Sequence, residues 1–300
     1  MFVSAKVAAS TGVAVAEGAS RSPRAGAAIS LDAVAFSFDT GASIEAHLEV
    51  PAGQLVCLVG PSGSGKSTIL NLVAGLLTPT RGRVLENGAP ITAPGPERAM
   101  VFQDAALFPW LTLRKNIEYP LEVAGVSRAE RSDRSEALLR LVHLHRFAEA
   151  FPHQLSGGMR QRGAIARALA TDPAVLLMDE PFAALDAQTR EILQAEVERI
   201  FLETKKTILF VTHNVREAVR LADRVVLMGT RPGRILRTLA IPLPRPRAVG
   251  DEHVTALANE IAAEIRTEVE KIAKEEADDA WVVPGAPVRV DPRRNLGGGI

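Results

Sequence analysis

Gly60-Pro61-Ser62-Gly63-Ser64-Gly65-Lys66-Ser67-Thr68 is the stretch on which the reading of this chain turns. It fits the spacing G-x-x-x-x-G-K-S/T, and it sits where that spacing has to sit, after a strand and before a helix. The apolar run Leu55 to Val59 precedes it and is short enough for a buried strand. Behind it, Ile69, Leu70, Leu72, Val73, Leu76 and Leu77 form a helical pattern that Thr78, Pro79 and the Arg81-Gly82 turn should stop. Glycines at 60, 63 and 65 open backbone geometries closed to other residues, so successive N–H groups can turn inward around phosphate oxygens at a helix N-terminus. Lys66 then supplies charge to the β- and γ-phosphates, and Ser67 offers a small hydroxyl to Mg²⁺, a cation that prefers oxygen ligands. The ligands expected here are a nucleoside triphosphate and Mg²⁺, held by residues 60 to 68; the nucleotide is ATP if the chain is an ATPase.

Two carboxylates end a second apolar run, Val175-Leu176-Leu177-Met178-Asp179-Glu180. Taken alone the pair means little, since strands often end in solvated acids. Behind a phosphate loop, its order assigns roles. Asp179 at the strand end can hold the Mg²⁺ shell beside Ser67, and Glu180 can polarise a water in line with the γ-phosphate. Any phosphate-loop ATPase, kinase or GTPase satisfies the observations to this point.

Composition bounds the rest. A chain of 300 residues that is 47% hydrophobic and 23% charged can bury one large core, or one core plus a small subdomain. Lys plus Arg and Asp plus Glu are both 35, so no excess of positive charge supports nucleic-acid binding. The single cysteine, Cys57, cannot form an internal disulfide and reads as a core residue. No stretch approaches the roughly 18 to 20 apolar residues needed to cross a bilayer.

Along the chain, residues 1 to 28 are rich in Ala, Ser and Gly and are expected to be an unstructured tail. Ile29, Leu31, Val34, Phe36 and Phe38, then His47 to Val50, suggest short antiparallel strands. About residues 104 to 170 a helical subdomain is expected, with one helix over Glu136 to Leu144 and another starting after Ser156. Ala174 to Met178 and Thr207 to Val211 are buried-strand candidates separated by a helix over about 187 to 203, the alternation of a mostly parallel α/β sheet. A helix over about 251 to 276 carries Val254, Leu257, Ile261, Ile265, Val269 and Ile272 on one stripe, which either packs on its own domain or binds a partner. The segment 282 to 300 is expected to be unstructured. There is no internal repeat, so the chain holds one nucleotide-binding unit.

Leu155-Ser156-Gly157-Gly158-Met159-Arg160-Gln161-Arg162 narrows the reading, because it resembles the signature sequence of ABC ATPases. Physically, Ser156, Gly157 and Gly158 form a second helix start with exposed backbone donors, suited to another phosphate. The resemblance implies that this start faces the nucleotide of the opposite subunit, so that two copies share two composite sites. Other elements match in the family's order. Gln103 resembles the Q-loop glutamine, which touches Mg²⁺ or the attacking water. Asp186, in Ala184-Leu185-Asp186, resembles the D-loop aspartate, which crosses the dimer interface. His213 resembles the switch histidine, which contacts the γ-phosphate and orients the water of Glu180. Phe38 stands for the aromatic that stacks on adenine upstream of the phosphate loop, with Phe36 as its competitor and core packing as the alternative. Met159, where Gln is commoner, and Asn214, where Asp often follows the histidine, are minor departures.

The implied fold is α/β, a P-loop NTPase of ABC type with a mostly parallel core, an antiparallel β subdomain and an inserted helical subdomain, over residues 29 to 248. A C-terminal amphipathic helix would occupy 249 to 281. Pro94 to Gln103, Phe102 to Thr112, and Pro232 to Ile235 followed by Pro244 to Arg247 look like the nitrate, sulfonate and taurine branch of bacterial ABC importers. That branch implies a second copy of the chain, an integral-membrane permease docking near Gln103 to Trp110, an external substrate-binding protein, and a place on the cytoplasmic face of the inner membrane. A buried aromatic cluster is the alternative reading of Phe108 to Trp110. An ABC ATPase acting on DNA or ribosomes, or a detached exporter ATPase, are the rival functions. If the phosphate-loop reading holds, Lys66→Ala weakens ATP binding in a nucleotide titration; unchanged affinity contradicts it.

Overall fold

Every residue of β3 (Leu55–Val59) is buried, as a continuous apolar run demands when a strand is covered on both faces. The computed structural model describes residues 24–38, 41–183, 185–230, 232–248 and 250–280, without the side chains of 268, 269 and 271–280. Alternate residues of β3 serve two cores. Leu55, Cys57 and Val59 join a core built largely from helices, while Val56 and Leu58 join one shared with the antiparallel strands. Cys57 has no exposure, and burial pushes its thiol well above its usual value.

The remaining strands are β1 (Ile29–Ser37), β2 (Ser43–Val50), β4 (Arg81–Glu86), β5 (Ala89–Pro90), β6 (Arg98–Val101), β7 (Val175–Asp179), β8 (Thr207–Val211), β9 (Arg224–Gly229) and β10 (Gly233–Ala240). They form one sheet in the order β5-β4-β1-β2-β10-β9-β3-β8-β7-β6. β9, β3, β8, β7 and β6 run parallel, and β1 pairs antiparallel with β2 and β4. The strand classes therefore match the expectation of a parallel core with an antiparallel part. A bulge between Leu31 and Val34, with Ala33 at a φ of 47°, accounts for the three-residue step in the apolar pattern of β1.

The helices are α1 (Lys66–Ala74), α2 (Leu113–Val123), α3 (Arg128–Leu141), α4 (Gly157–Leu169), α5 (Ala187–Thr204), α6 (Val215–Leu221) and α7 (Glu252–Ala280). α2, α3 and α4 pack on one another as the helical layer. α2 meets α4 closely enough that a Cβ on Gly163 would come within 2.6 Å of Leu113 Cδ1. None of the described helices is long and apolar enough to cross a membrane.

Several expected boundaries move. α1 stops at Ala74 because Gly75 takes a left-handed conformation and its N–H returns to Asn71 and Leu72; Leu76 lies outside the helix and is exposed. α3 spans 128 to 141 rather than 136 to 144, since Ser127 caps its start by accepting from Glu130 N. Val142 and Leu144 are buried after the helix ends, around His143 at a φ of 57°. Residues 24–28, assigned from composition to the tail, are held in place. Arg24 N donates to Asp172, Thr207 Oγ1 donates to Ala27 O at 2.6 Å, and Ala28 N donates to Asn87 Oδ1. The rest of that tail, residues 1–23, and the segment 282–300 lie outside the described residues, as do the side chains of Val269 and Ile272.

α7 takes the first of its two expected options. Val254, Ala258 and Ile261 are buried in the helical core, with Leu257 and Ile265 packed beside them, and α7 packs against α6. Ile261→Ala should therefore lower stability by about 2–5 kcal/mol. The exposed neighbour substitution Glu260→Ala should stay within about 0.5 kcal/mol. Denaturant unfolding of both variants checks this, and equal midpoints would show α7 to be undocked.

Candidate active site

Three parallel strands deliver the sequence-predicted residues to one edge of the sheet. Leu58 of β3 pairs with Val211 of β8, and Val211 pairs with Asp179 of β7. The phosphate loop, the Asp179-Glu180 pair and the Thr212-His213 turn thus leave the sheet side by side, at the carboxyl ends where open α/β sheets bind ligands. β6 pairs with β7 one place further out, Val101 opposite Met178, so Gln103 follows on the same edge.

The loop from Gly60 to Gly65 is shaped by its neighbours. A Cβ on Gly60 would lie 2.3 Å from Met228 O of β9, so only glycine lets the loop leave the sheet there. Gly65 caps α1 at a φ of 89° and lies against Ile44 of β2. Lys66 folds its ammonium into the loop, donating to Gly60 O at 2.9 Å, Pro61 O at 2.8 Å and Ser64 Oγ at 3.3 Å. Burial pushes that ammonium below its usual value, opposed by the charges of Glu180 and Asp179.

Ser67 Oγ donates to Asp179 Oδ1 at 3.1 Å. This hydroxyl–carboxylate pair is the oxygen-only donor set that a hard divalent cation takes. Burial raises Asp179; Glu180 reinforces the rise, and the Ser67 bond and Lys66 oppose it. Glu180 adopts a φ of 44°, rare for a non-glycine residue, with its N–H donating to Val211 O at 3.0 Å. His213 Nδ1 lies 3.0 Å from Glu180 Oε2. A cavity of about 20 Å³, room for one water, lies among Glu180, Arg190, Thr212 and His213.

The other expected residues lie around this edge. Phe38 is 39% exposed and meets Phe36 edge to face at 4.9 Å. Phe36 pairs with Ile44, the residue against Gly65, so the aromatic pair lies on the phosphate-loop side of β1. Phe36 packs on the core, and Phe38 is the more exposed of the two. Ser156 caps α4, its Oγ accepting from Met159 N at 3.3 Å; Ser156 and Gly157 are exposed and Gly158 is buried. A Cβ on Gly158 would strike Thr189 Cγ2 at 2.3 Å, so this glycine lets α4 approach α5. Asp186 is exposed and caps α5 by accepting from Thr189 N at 3.0 Å; Ala184 beside it lies outside the described residues. Gln103 is exposed, and Gln161 Nε2 of α4 donates to Phe102 O at 3.1 Å just before it.

Two polar groups went unread in the sequence. Asn116 is fully buried in α2; its Oδ1 accepts from Phe108 N, and its amide donates to the carbonyls of Phe108, Leu111 and Thr112. Glu217, 6% exposed in α6, accepts from Thr212 and Gln194. The Asn214-x-x-Glu217 spacing at a helix start was the available signal, since it is that of a capping box. A cavity of about 780 Å³ lies elsewhere, between the helical layer, Pro96 and Asp172. The nucleotide-site residues instead line an open edge.

A family profile described as ABC transporter matches residues 45–183. The nitrate import ATP-binding protein NrtD of Synechocystis sp. is 51% identical over 210 residues, 70% of this chain and 76% of the relative. The chain belongs to the ABC transporter ATPases. The taurine import ATP-binding protein TauB of Pseudomonas entomophila is 47% identical over 205 residues, 68% of this chain and 79% of the relative. Among solved structures, the dimeric post-hydrolysis state of the ATP-binding cassette MJ0796 bound to ADP and Pi superposes with a TM-score of 0.63 at 33% identity, covering 72% of this chain and all of that one. The fold of this ABC ATPase is thus the ATP-binding cassette that the signature and phosphate loop resembled.

A carboxyl raised above its unfolded value weakens the fold once ionised; the penalty shrinks as pH falls through the folded value and vanishes below the unfolded one. In nucleotide-free, chelator-treated protein, Asp179→Asn should therefore raise the melting temperature at neutral pH. The gain should shrink as pH falls through the raised value. A lower melting temperature at neutral pH contradicts this electrostatic picture.

Proposed function

We propose that this ABC ATPase powers a bacterial importer of a small anion or zwitterion, of the nitrate, taurine and aliphatic sulfonate kind, as a dimer beneath two permease subunits at the cytoplasmic face of the inner membrane. The arrangement that carries the reading is the pairing of a formed phosphate loop around Lys66 with an exposed helix start at Ser156 and Gly157 on the same chain. Each is half of an anion site, and a twofold partner supplies the other half. The relatives named for nitrate and taurine import support the solute class.

In this mechanism the backbone amides of residues 60 to 68 and the Lys66 ammonium bind the phosphates, Phe38 stacks on the adenine, and the partner's signature helix start closes on the γ-phosphate. Ser67 and Asp179, with Gln103 nearby, would hold Mg²⁺, which when bound supplies positive charge to the β- and γ-phosphate oxygens. Glu180, held forward by its left-handed backbone, accepts hydrogen bonding from the attacking water, and His213 fixes the Glu180 carboxylate from its other side. Asp186 faces the partner across the dimer, and its carboxylate already orders the start of α5.

Permease contact falls on the segment after Gln103. Trp110 is 70% exposed, and Phe108 is partly buried against Tyr119, with Arg167 over its ring. Phe108, Trp110 and Tyr119 form an aromatic cluster, with Phe108 partly buried and Trp110 open to a partner. Buried Asn116 and Arg167, which donates to Ala105 O and Ala106 O, hold this segment in shape before any partner arrives. The external substrate-binding protein is reached only through the permease.

Glu180→Gln keeps every nucleotide-binding group and removes the carboxylate. It should lower ATP turnover by a factor on the order of 10² or more and trap an ATP-loaded dimer detectable by light scattering. Wild-type turnover, or a monomer at saturating ATP, sinks the composite-site reading. The importer part is checked separately by detergent co-purification: recovery of a permease supports it, and recovery of ribosomes or DNA instead overturns it.

A further inference from the structure

Glu217 is a buried carboxylate that no step above uses. Both its oxygens are engaged: Oε2 accepts from the Thr212 hydroxyl at 2.5 Å, and Oε1 accepts from Gln194 Nε2 of α5 at 2.7 Å. Gln194 Oε1 in turn accepts from Arg220 Nη1 at 2.7 Å. Thr212 is the residue between the end of β8 and His213, is 2% exposed, and donates its N–H to Leu58 O at the end of β3. Its hydroxyl also accepts from Asn214 N at 3.0 Å, and Asn214 Oδ1 accepts from Arg216 N and Glu217 N. The backbone on both sides of His213 is therefore tied to one carboxylate.

Keeping a carboxylate at this depth is unfavourable. Burial pushes its pKa up, opposed by the Thr212 and Gln194 bonds and by the charges of Arg190 and His213. An apolar side chain of similar volume would fill the space without that penalty. What the carboxylate adds is direction: it accepts from Thr212 on one side and from Gln194 on the other.

We propose that Glu217 is a positioning residue for turnover, holding the 212–214 turn through Thr212 so that His213 stays against Glu180. The proposal rests on the assignment of His213 and Glu180 to hydrolysis. It predicts that Glu217 sets the rate of the chemical step without touching nucleotide, and that hydrogen-bond polarity matters more than charge. Glu217→Gln leaves an acceptor for Thr212 but turns an amide donor toward the donor of Gln194. Adding Gln194→Glu restores a donor facing an acceptor and still leaves Arg220 a partner.

The experiment measures ATPase kcat, ADP affinity and melting temperature on the full chain. Glu217→Ala should lower kcat by a factor on the order of 10 to 100, the scale of an angstrom misplacement, while ADP affinity stays within about twofold because the phosphate loop is untouched. Glu217→Gln should fall less, and Glu217→Gln with Gln194→Glu should recover most of the loss. Wild-type kcat in Glu217→Ala overturns the proposal. So does a double variant no faster than Glu217→Gln, or an ADP affinity that falls in step with kcat. If Glu217→Ala does not fold, the single and double glutamine variants decide alone. His213→Ala in the same assay separates the two layers: unchanged turnover there removes the underlying assignment, whereas lost turnover with an indifferent Glu217 removes only this proposal.

Discussion

The parallel pairing of β3, β8 and β7 is the constraint on which the site depends. Val211 faces Leu58 on one side and Asp179 on the other, so three separated segments end at one height on one edge. A register slip of a single residue would turn every side chain of the slipped strand to the opposite face, and both cores would lose their fit. All five residues of β3 and of β8 are buried, which makes that register a matter of burial. The chemistry-bearing loops inherit a precision that exposed loops lack by themselves.

On that edge the charges are arranged against one another. Lys66 spends its donors on the carbonyls of its own loop, and the Asp179 carboxyl is raised beside Glu180. Such a cluster is uncomfortable without a ligand: a cation is buried among dipoles, and two carboxylates are neighbours. A bound polyphosphate would accept from the same ammonium, and a divalent cation would relieve the carboxylates. The backbone of Glu180 adds strain of the left-handed kind, about 1–2 kcal/mol for a non-glycine residue. The stability of the buried sheet carries these local penalties.

Much of this was legible in the residues. Lys66, Asp179 and His213 each follow a run of apolar residues that could only be a buried strand, so their common edge was readable before any coordinates. The strand order was not, because apolar runs carry no record of their partners; that β3 lies between β8 and β9 comes from packing. Helix ends slipped where a local device overrode periodicity, as Gly75 did by ending α1 before Leu76 and Leu77, and as Ser127 did by starting α3 early. α2 escaped notice because Pro120 lies inside it, a residue that argues against a helix in isolation. Asn116 was invisible for a different reason, and the capping spacing of Glu217 announced a helix start without its depth: a polar side chain in a sequence is assumed to face water, and only the fold shows which ones are enclosed.

One contact described above reaches beyond its own neighbourhood. α4 is wedged on Thr189 of α5 where Gly158 lacks a side chain, and it is bonded through Gln161 to the carbonyl of Phe102. The helix is therefore clasped at one end by α5, which follows Asp179 and Glu180 in the chain, and in its second turn by the segment that leads toward the exposed Trp110. The exposed helix start at Ser156 is thus placed by two separate segments of the chain at once, and its position is set by both.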